Sequence, residues 1–308
     1  MMNFQQCRYA VAIAKAGSFS QAAKDLFVTQ SSLSTAIKEL ETSLGIRLFH
    51  RSKSGVRLTE EGSEFLVSAR RILAQVELLE NQYQPNKKKD FVIAAQHYDF
   101  LSQPFLTVFH QFQQECQSFH LIETTTQKII ESLQSFRSEL GILYLTPANK
   151  RSLERHFAQE QLTFQPLGNF VTRIFLRKDH PLAEKAQLTI QDLADYPQIR
   201  FNQEEYEFSH FEEDPLEIPT EQAVIYANDR GTLLNLLCGS DAYASGLGIV
   251  EGFAKDQIVL LPLADSDIHT LGVVYHQQRS LSDMAERFIK EVQIAVNQST
   301  VSIEKING

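Results

Sequence analysis

Residues 14–62 of the 308-residue chain are AKAGSFSQAAKDLFVTQSSLSTAIKELETSLGIRLFHRSKSGVRLTEEG, and they predict how the first part of the chain folds. Apolar residues at helical spacing predict a first helix over residues 4–16, which Gly17 ends. Ser18 begins a second helix, because a serine side chain accepts a hydrogen bond from a free amide at a helix start. Gln21, three residues later, completes a predicted capping box.

The second helix is short, and a third follows it closely. The second is predicted over residues 21–26, and residues 27–28 make the turn. Thr29 caps the third helix, which continues to about Leu44 and stops at Gly45. Two helices joined by a tight turn, with a polar start to the second, form the helix-turn-helix pattern, which sets a helix into the major groove of DNA.

The start of the third helix carries short polar side chains, which can enter a groove about 12 Å wide and still reach base edges. They are Thr29, Gln30, Ser31, Ser32, Ser34 and Thr35.

Apolar and basic residues then alternate over 46–59 around Ser54-Gly55, which predicts a hairpin wing with Arg51, Lys53 and Arg57 along the phosphate backbone. The alternative is a three-helix bundle that exposes a Ser/Thr-rich turn without binding DNA.

The charge of the chain is divided unevenly. Residues 1–59 carry eight lysines and arginines against three acidic residues, whereas the whole chain has a formal net charge of −9. An acidic body repels a polyanion, and a basic head attracts it. The sequence therefore predicts that nucleic acid binds to the head.

A long helix follows the wing. Thr59 caps it, and Glu60 and Glu61 lie near its positive end. Its apolar side chains repeat at heptad spacing, which predicts a seam that pairs two copies of the chain. The seam residues are Phe65, Ala69, Ile72, Val76, Leu79 and Tyr83. The alternative is that this face packs on the chain's own body, and residues 84–89 form a polar hinge in either case.

The remainder of the chain alternates between strand and helix patterns. Strands are predicted at 91–95, 120–124, 140–144, 171–177, 198–201, 223–227, 242–245, 259–261 and 271–275. Helices are predicted at 100–116, 127–136, 230–238 and 282–297, with a short one near 193–194. This alternation indicates an α/β fold with largely parallel sheets, and its length suits two subdomains of about 100 residues with a cleft between them.

Several classes of protein are disfavoured by what the sequence lacks. Three widely spaced cysteines indicate small buried side chains, not a disulfide framework or a zinc site. Because no phosphate-binding loop, nucleophile elbow or metal-ligand motif occurs, we expect no enzyme, no metal and no cofactor. The N-terminus lacks a signal-peptide pattern, and no apolar run is long enough to span a bilayer. We therefore expect a cytoplasmic protein with no membrane partner, and a transporter's solute-binding protein is the less favoured alternative.

Four motifs in the head occur in the order that one family of regulators shows: GSFSQAA, TQSSLSTAIKELE, LGIRLFHR and LTEEG. On these motifs the chain resembles the LysR-type transcriptional regulators, and DHPLA at 179–183 fits the same family. The resemblance implies an α/β fold class: an N-terminal all-α winged helix-turn-helix, a long linker helix, and a two-subdomain effector domain like that of periplasmic binding proteins.

The resemblance also implies domain boundaries. We expect a DNA-binding domain over 1–59, a linker and dimerisation helix with its hinge over 60–89, and a regulatory domain over 90–308. Within the regulatory domain, subdomain I is expected at about 90–162 and 267–308, and subdomain II at about 163–266.

The resemblance assigns DNA contacts to the head. Thr29, Gln30, Ser31 and Ser34 would approach bases or neighbouring phosphates, together with Ser32. Ser18 would contact a phosphate at a helix start, and Arg51 would reach the minor groove beside the wing. The chain departs from many members in having Thr35 where they have a basic residue, and Lys38, one turn later, is a substitute.

For the cleft, the resemblance implies a small effector held by strand ends and by the connections between subdomains. The implied residues are Gln96, His97, Tyr98, Thr124, Thr125, Thr126, Tyr144, Arg200, Phe201, Asn202, Asp229 and Arg230. Hydroxyls and helix-start amides suit a carboxylate, and Asp229 suits an amine, so an amino-acid-like effector is the expectation. The alternatives are that His97 and Tyr98 pack at a strand end, and that Thr124–Thr126 and Asp229 only cap helices.

The resemblance further implies partners. They are double-stranded DNA with a dyad-symmetric site, a small-molecule effector, and further copies of the chain in a homodimer or a homotetramer. RNA polymerase is an additional candidate partner.

Overall fold

The computed structural model describes residues 2–52, 55–82, 89–202, 216, 223–250, 252–264 and 266–306. The chain divides into two compact units, residues 1–87 and 88–308. No described helix is long and apolar enough to cross a membrane.

Three helices open the first unit: α1 (Phe4–Ala16), α2 (Phe19–Asp25) and α3 (Gln30–Leu44). The predicted caps are confirmed, because the side chains of Ser18 and Thr29 accept hydrogen bonds from the backbone amides of Gln21 and Ser32. The predicted stops are confirmed as well, since Gly17 and Gly45 adopt left-handed conformations with φ of 63° and 71°.

Two details of the second helix differ from the prediction. The helix begins at Phe19, two residues earlier than expected, because Ser18 as its cap places the next residue in the first turn. The predicted capping box is wrong, because the side-chain amide of Gln21 donates to Asp25 Oδ1 at 2.8 Å. Only the Ser18 half of the box is therefore seen.

The predicted wing is an antiparallel hairpin of β1 (Phe49–Ser52) and β2 (Gly55–Leu58). It is tied to the helices, because the Val56 amide donates to the Gly17 carbonyl at 3.0 Å. The residues between the two strands lie outside the described part of the chain. The long helix α4 (Glu60–Gln82) follows, and Thr59 Oγ1 accepts from the Gly62 amide at 2.8 Å, as predicted for its cap.

The second unit contains a five-stranded sheet in the order β4-β3-β5-β12-β6. These strands are β3 (Lys89–Ala95), β4 (Cys116–Glu123), β5 (Leu140–Leu145), β6 (Leu162–Val171) and β12 (Ile268–His276). Helices α5 (Ser102–Phe112) and α10 (Asp283–Ile306) share one apolar core with it. Helices α6 (Thr126–Gln134) and α7 (Lys150–Gln159) share another.

A second group of strands forms the other lobe of this unit. The sheet β10-β7-β11 consists of β7 (Arg173–Arg177), β10 (Ala244–Gly246) and β11 (Ile258–Pro262). A two-stranded sheet pairs β8 (Gln198–Phe201) with β9 (Val224–Ala227). The helices of this lobe are α8 (Ile190–Leu193) and α9 (Arg230–Cys238), and the latter packs on Phe175 and Ile199.

The chain passes between the lobes twice, after Val171 and before Ile268, and the two passages are joined to each other. Thr172 donates its amide to Ser266 Oγ at 3.1 Å, and its Oγ1 lies 2.8 Å from His269 Nε2. The Leu263 amide donates to the Thr172 carbonyl at 3.3 Å. The first passage corrects the expected boundary near residue 163, because β6 still belongs to the first sheet.

The expectation of largely parallel sheets is wrong. In the second unit, strand β3 is parallel to β4 and β5, and β8 is parallel to β9. The other four pairings of this unit are antiparallel. For the pair β6 and β12, the reason is that β6 leaves the first lobe and β12 returns beside it, so the two strands run in opposite directions.

The three cysteines are placed as the sequence predicts for small apolar side chains. Cys7 and Cys116 are buried, and Cys238 is half-buried. Burial raises the pKa of all three thiols, so each favours the neutral, unreactive form.

Candidate nucleic-acid interface and ligand cleft

The polar start of α3 is exposed. Thr29, Gln30, Ser31 and Ser32 all face solvent. The hydroxyls are partly engaged with each other, because Thr29 Oγ1 lies 3.0 Å from Ser31 Oγ and 2.8 Å from Ser32 Oγ. This bonding orders the helix start, and it leaves the longer Gln30 side chain extending from an ordered turn.

The remaining predicted contacts of the head fall on the same helix, the neighbouring helix start and the wing. Thr35 and Lys38 are exposed one and two turns into α3, and Ser34 is half-buried. Ser18 is half-buried at the start of α2. Arg51 lies on β1, where its backbone pairs with Val56. Lys53 lies outside the described residues.

The wing region carries further exposed basic side chains. Arg57, which the sequence placed along the phosphate backbone, is exposed on β2 opposite His50 of β1. Sequence reasoning left His50 and Arg47 unassigned, and both are exposed. The alternation of basic and apolar residues around Ser54-Gly55 indicated the whole segment. It did not indicate which of the basic residues in the segment would contact DNA.

The heptad seam on α4 is divided between a packed half and an exposed half. Ala69 is buried together with Leu66, which belongs to the core of the first unit. By contrast, Ile72 is 36% exposed and Leu79 is 57% exposed. Packing on the chain's own head therefore accounts for the beginning of the seam but not for its end. Of the other seam residues, Phe65 and Val76 are half-buried, and Tyr83 lies outside the described residues.

A cavity opens between the two lobes of the second unit. Six of the predicted effector residues line it: His97, Tyr98, Tyr144, Arg200, Phe201 and Arg230. Eight residues that sequence reasoning missed line it as well: Phe100, Phe175, Ile199, Leu233, Ser245, Gly246, Leu247 and Ile249. The wall is thus largely aromatic and aliphatic, with two arginines.

The other six predicted effector residues lie outside this lining. They are Gln96, Thr124, Thr125, Thr126, Asn202 and Asp229. Thr125 caps α6, and the carboxylate of Asp229 accepts from both the amide and the hydroxyl of Thr232 at 2.8 and 2.7 Å. The Thr232 amide lowers the pKa of Asp229. These bonds are those of helix caps, so the argument that Asp229 receives an amine loses its support.

Gln96 does not line the cavity, but it forms hydrogen bonds to residues that do. It is buried, and its Oε1 accepts from the Tyr98 hydroxyl at 2.6 Å and from the Tyr144 amide at 3.0 Å. Its Nε2 donates to Thr126 Oγ1 at 2.9 Å. Gln96 therefore fixes two aromatic residues of the wall to the start of α6.

Contacts join the lobes across the cavity. The rings of His97 and Phe201 stack with centroids 4.0 Å apart, and His97 Nε2 lies 3.2 Å from the Asn228 carbonyl oxygen. Arg230 Nε donates to Asp99 Oδ1 at 3.3 Å, and the Arg230 amide donates to Glu123 Oε2 at 3.2 Å. Both carboxylates come from the first lobe, and neither was assigned from the sequence.

Family comparisons agree with this arrangement. Residues 4–63 match the family described as bacterial regulatory helix-turn-helix protein, lysR family, and residues 99–296 match the LysR substrate binding domain. The chain therefore belongs to the LysR family of DNA-binding transcriptional regulators.

Individual relatives share the family but are distant. The chain is 30% identical to the regulator CysB of Burkholderia cenocepacia over 65% of this chain and 63% of that protein. It is 25% identical to the regulator AlsR of Bacillus subtilis over 92% of this chain and 88% of that protein. The matches to the first relatives, YvbU, cbl and CysB, span only 63–65% of their lengths.

Solved structures show the same fold. A cysteine-to-aspartate variant of full-length OxyR from Pseudomonas aeruginosa has a TM-score of 0.63 at 20% identity, with 98% of this chain and 96% of that chain covered. CbnR has a TM-score of 0.57 at 18% identity, with 96% and 99% covered. An N-terminal winged helix-turn-helix followed by a two-lobed domain is therefore the architecture of this chain.

Proposed function

We propose that this protein controls transcription by binding dyad-symmetric promoter DNA as a dimer or tetramer, and that a small metabolite in the cleft modulates the binding. The observation that carries the proposal is the exposed polar start of α3 beside a basic wing, in one chain with a two-lobed domain that encloses a cavity. A relative with the same fold, CbnR, has been solved in complex with its target DNA. Because bacterial promoter DNA lies in the cytoplasm, we expect the protein to act there.

The proposed DNA contacts divide by chemistry. Gln30 is the main candidate for reading a base edge, because its amide can donate and accept at once. Ser31, Ser32, Ser34 and Thr35 are shorter and would support it from the same turns, with Thr29 as their cap. Phosphate contacts would come from the four remaining members of the predicted set: Ser18, Lys38, Arg51 and Lys53.

Pairing of two heads is proposed to use the seam on α4. Exposed apolar side chains such as Ile72 and Leu79 gain free energy when a second copy covers them. Phe65, Val76 and Tyr83 complete the proposed seam, whereas Ala69 is already buried within the single chain. Two heads related by a twofold axis require two half-sites with the same symmetry, which is why we propose a dyad-symmetric operator. Once bound beside a promoter, the protein would have RNA polymerase as a further partner.

The experiment is a selection of DNA sequences from a random pool by the full chain, followed by gel-shift titration of the selected DNA. We expect inverted repeats to be enriched, and we expect affinity to fall steeply as salt is raised, because each phosphate contact releases counterions. Gln30→Ala should relax base preference. Ser43→Ala, at an exposed position near the far end of the same helix, is the matched control and should behave like the wild type.

The proposal is contradicted if the selection enriches no sequence, or if binding does not respond to salt. An unchanged base preference in Gln30→Ala would remove the base-reading role of that residue alone. For the cleft, the test is a thermal-shift screen of the full chain against metabolites, because a ligand of the folded state raises its stability by mass action.

A further inference from the structure

Arg173 is a buried cation for which the described part of the chain supplies no partner. It is the first residue of β7, directly after the first passage between the lobes, and only 8% of it is exposed. No residue in the described ranges forms a hydrogen bond or an ion pair with its guanidinium. Burial lowers the pKa of Arg173, and no described carboxylate opposes that effect.

Two other arginines of the same unit that are largely buried each have a carboxylate partner. The side chain of Arg230 is 8% exposed and is paired with Asp99 at 3.3 Å. The side chain of Arg279 is 18% exposed and is paired with Glu139 at 3.7 Å. A guanidinium that is largely withdrawn from bulk water is stabilised when an anion pairs with it. Among the described residues Arg173 therefore lacks the carboxylate partner that Arg230 and Arg279 have, which leaves its guanidinium available to an anion.

The position of Arg173 associates it with the cleft. Residues two apart on a strand share a face, so Arg173 lies on the same face of β7 as Phe175, which lines the cavity. Its partner in register on β10 is Gly246, which also lines the cavity. The stem of Arg173 passes close to Gly248, where a Cβ atom would lie 2.3 Å from Arg173 Cγ. The small residues of this segment therefore make room for the arginine beside the cavity wall.

Arg173 lies next to the cavity wall, and the residues that form the wall indicate what kind of molecule carries the anion. Rings of Tyr98, Phe100, Tyr144 and Phe175 and aliphatic groups of Leu233 and Ile249 dominate the lining. Such a surface favours an apolar or aromatic body, because burial of apolar area is what stabilises a ligand there. The charge of Arg230 is already matched by Asp99, whereas Arg173, next to this wall, has no carboxylate partner among the described residues.

We infer that the effector is a carboxylic acid with an apolar or aromatic body, and that its carboxylate binds the guanidinium of Arg173. A planar carboxylate fits the two parallel N–H groups of an arginine. This inference rests on the proposed function, since it takes the cleft to be the effector site. It replaces the expectation of an amino acid, whose amine would need an available carboxylate.

The test measures thermal stability and binding of the full chain with benzoate and hexanoate, and with benzamide and hexanamide as uncharged counterparts. We expect the acids to raise the melting temperature and the amides to leave it unchanged. Arg173→Met keeps the apolar stem and removes the charge, so we expect it to weaken benzoate binding about 10- to 100-fold, the usual range for a lost charged hydrogen bond. Arg173→Lys keeps the charge but lacks the two parallel N–H groups of an arginine. Its affinity for benzoate should therefore lie between those of the wild type and Arg173→Met.

The ligand-free protein provides a second readout. If Arg173 awaits an anion, removing its unpaired charge should raise the melting temperature of Arg173→Met above that of the wild type. A purely structural arginine would lower it. Arg177→Met is the matched control, because Arg177 lies on the same face of β7 and is paired with Asp241 at 2.7 Å. It should leave benzoate binding unchanged within about twofold, the scatter expected at a site that loses no contact to the ligand.

Several outcomes would overturn the inference. They are no response of the wild type to either acid, equal responses to acids and amides, unchanged benzoate binding in Arg173→Met, and a lower melting temperature of that variant. A response to inorganic phosphate but not to the acids would also overturn it, because it would point to a different anion.

Failure of this inference can be told from failure of the proposed function. Ser245→Trp, at a half-buried position that lines the cavity, narrows the cleft without changing its charge. If amino acids or other metabolites stabilise the wild type but not Ser245→Trp, and Arg173→Met still responds to them, the cleft remains the effector site and only the carboxylate anchor is wrong.

Discussion

At the residue scale, two histidines of the second unit, His180 and His269, are buried. His180 Nδ1 accepts from the Leu182 amide at 3.1 Å, and its Nε2 lies 3.0 Å from the Asp241 carbonyl oxygen. His269 Nε2 lies 2.8 Å from Thr172 Oγ1. Burial lowers the pKa of both imidazoles, and neither the neighbouring Asp241 nor Asp267 outweighs it.

These two histidines predict that stability falls below neutral pH. Their pKa values are lowered in the folded state, so the unfolded chain binds protons first as the pH drops below about 6.5. The free energy of unfolding should therefore be lower at about pH 5.5 than at about pH 7.5, as measured by urea denaturation. His180→Gln combined with His269→Gln should reduce this pH dependence, whereas His110→Gln, on an exposed residue, should not. A urea midpoint that is independent of pH over this range would contradict the prediction.

Caps were the residues easiest to predict, because a cap depends only on its immediate neighbours. Ser18, Thr29 and Thr59 were all found from the sequence, and each bonds an amide three residues later. The cross-cleft carboxylates Asp99 and Glu123 were missed for the opposite reason. Their partner, Arg230, is 131 and 107 residues away along the chain, and no local pattern records that pairing.

At the element scale, the start of α10 is held by a buried carboxylate. Glu139 accepts from the Ser282 amide at 2.6 Å and from its hydroxyl at 3.1 Å, at the positive end of the helix. Arg279 lies 3.7 Å from the same carboxylate and donates to the carbonyls of Phe136 and Ser138. The pair therefore joins the last helix to the turn before β5.

Glu139→Ala is expected to lower the free energy of unfolding by about 3–5 kcal/mol, because it leaves Arg279 buried without its anion. Urea denaturation of the full chain measures the change. Glu154→Ala, which breaks the exposed pair with Lys150, is the control and should cost less than about 0.5 kcal/mol. Adding Arg279→Met to Glu139→Ala should restore part of the loss. The prediction is contradicted if Glu139→Ala and Glu154→Ala lower the free energy of unfolding by the same amount.

Elements of the body were harder to predict than those of the head. Strand β6 was missed because Pro166 and Gly168 both disfavour strands. The structure tolerates them because β6 is at the edge of its sheet and its register with β12 shifts at this point, next to Gly272. Helix α7 was missed because charged residues dominate it, and it buries only Leu153 and Phe157.

The cleft was predicted only where strands end. The resemblance to the family implied His97, Tyr98 and Tyr144, because it places the effector at strand ends and at the connections between the subdomains. Phe175 lies within a strand, and Gly246 becomes part of the wall only through its pairing with the first residue of β7. Such contributions depend on how two lobes meet, which no periodicity in the sequence reports.

At the scale of the whole molecule, the exposed end of the α4 seam predicts assembly. Ile72→Asp places a charge in the middle of the proposed seam, where its burial against a second copy is costly. Sedimentation velocity should therefore show a smaller species than for the wild type. Ser68→Asp adds the same charge at an exposed position outside the predicted seam and should leave the assembly unchanged. If Ile72→Asp sediments like the wild type, α4 is not the pairing surface.

The two passages between the lobes have a mechanical consequence. A single connection would let one lobe swing and twist in any direction, but two connections bonded to each other through Thr172 act as one joint. We therefore expect relative motion of the lobes to be mainly a rotation about that joint. Arg173 directly follows the joint, so an anion bound there would act close to the axis of that rotation. We expect such binding to change the angle between the lobes.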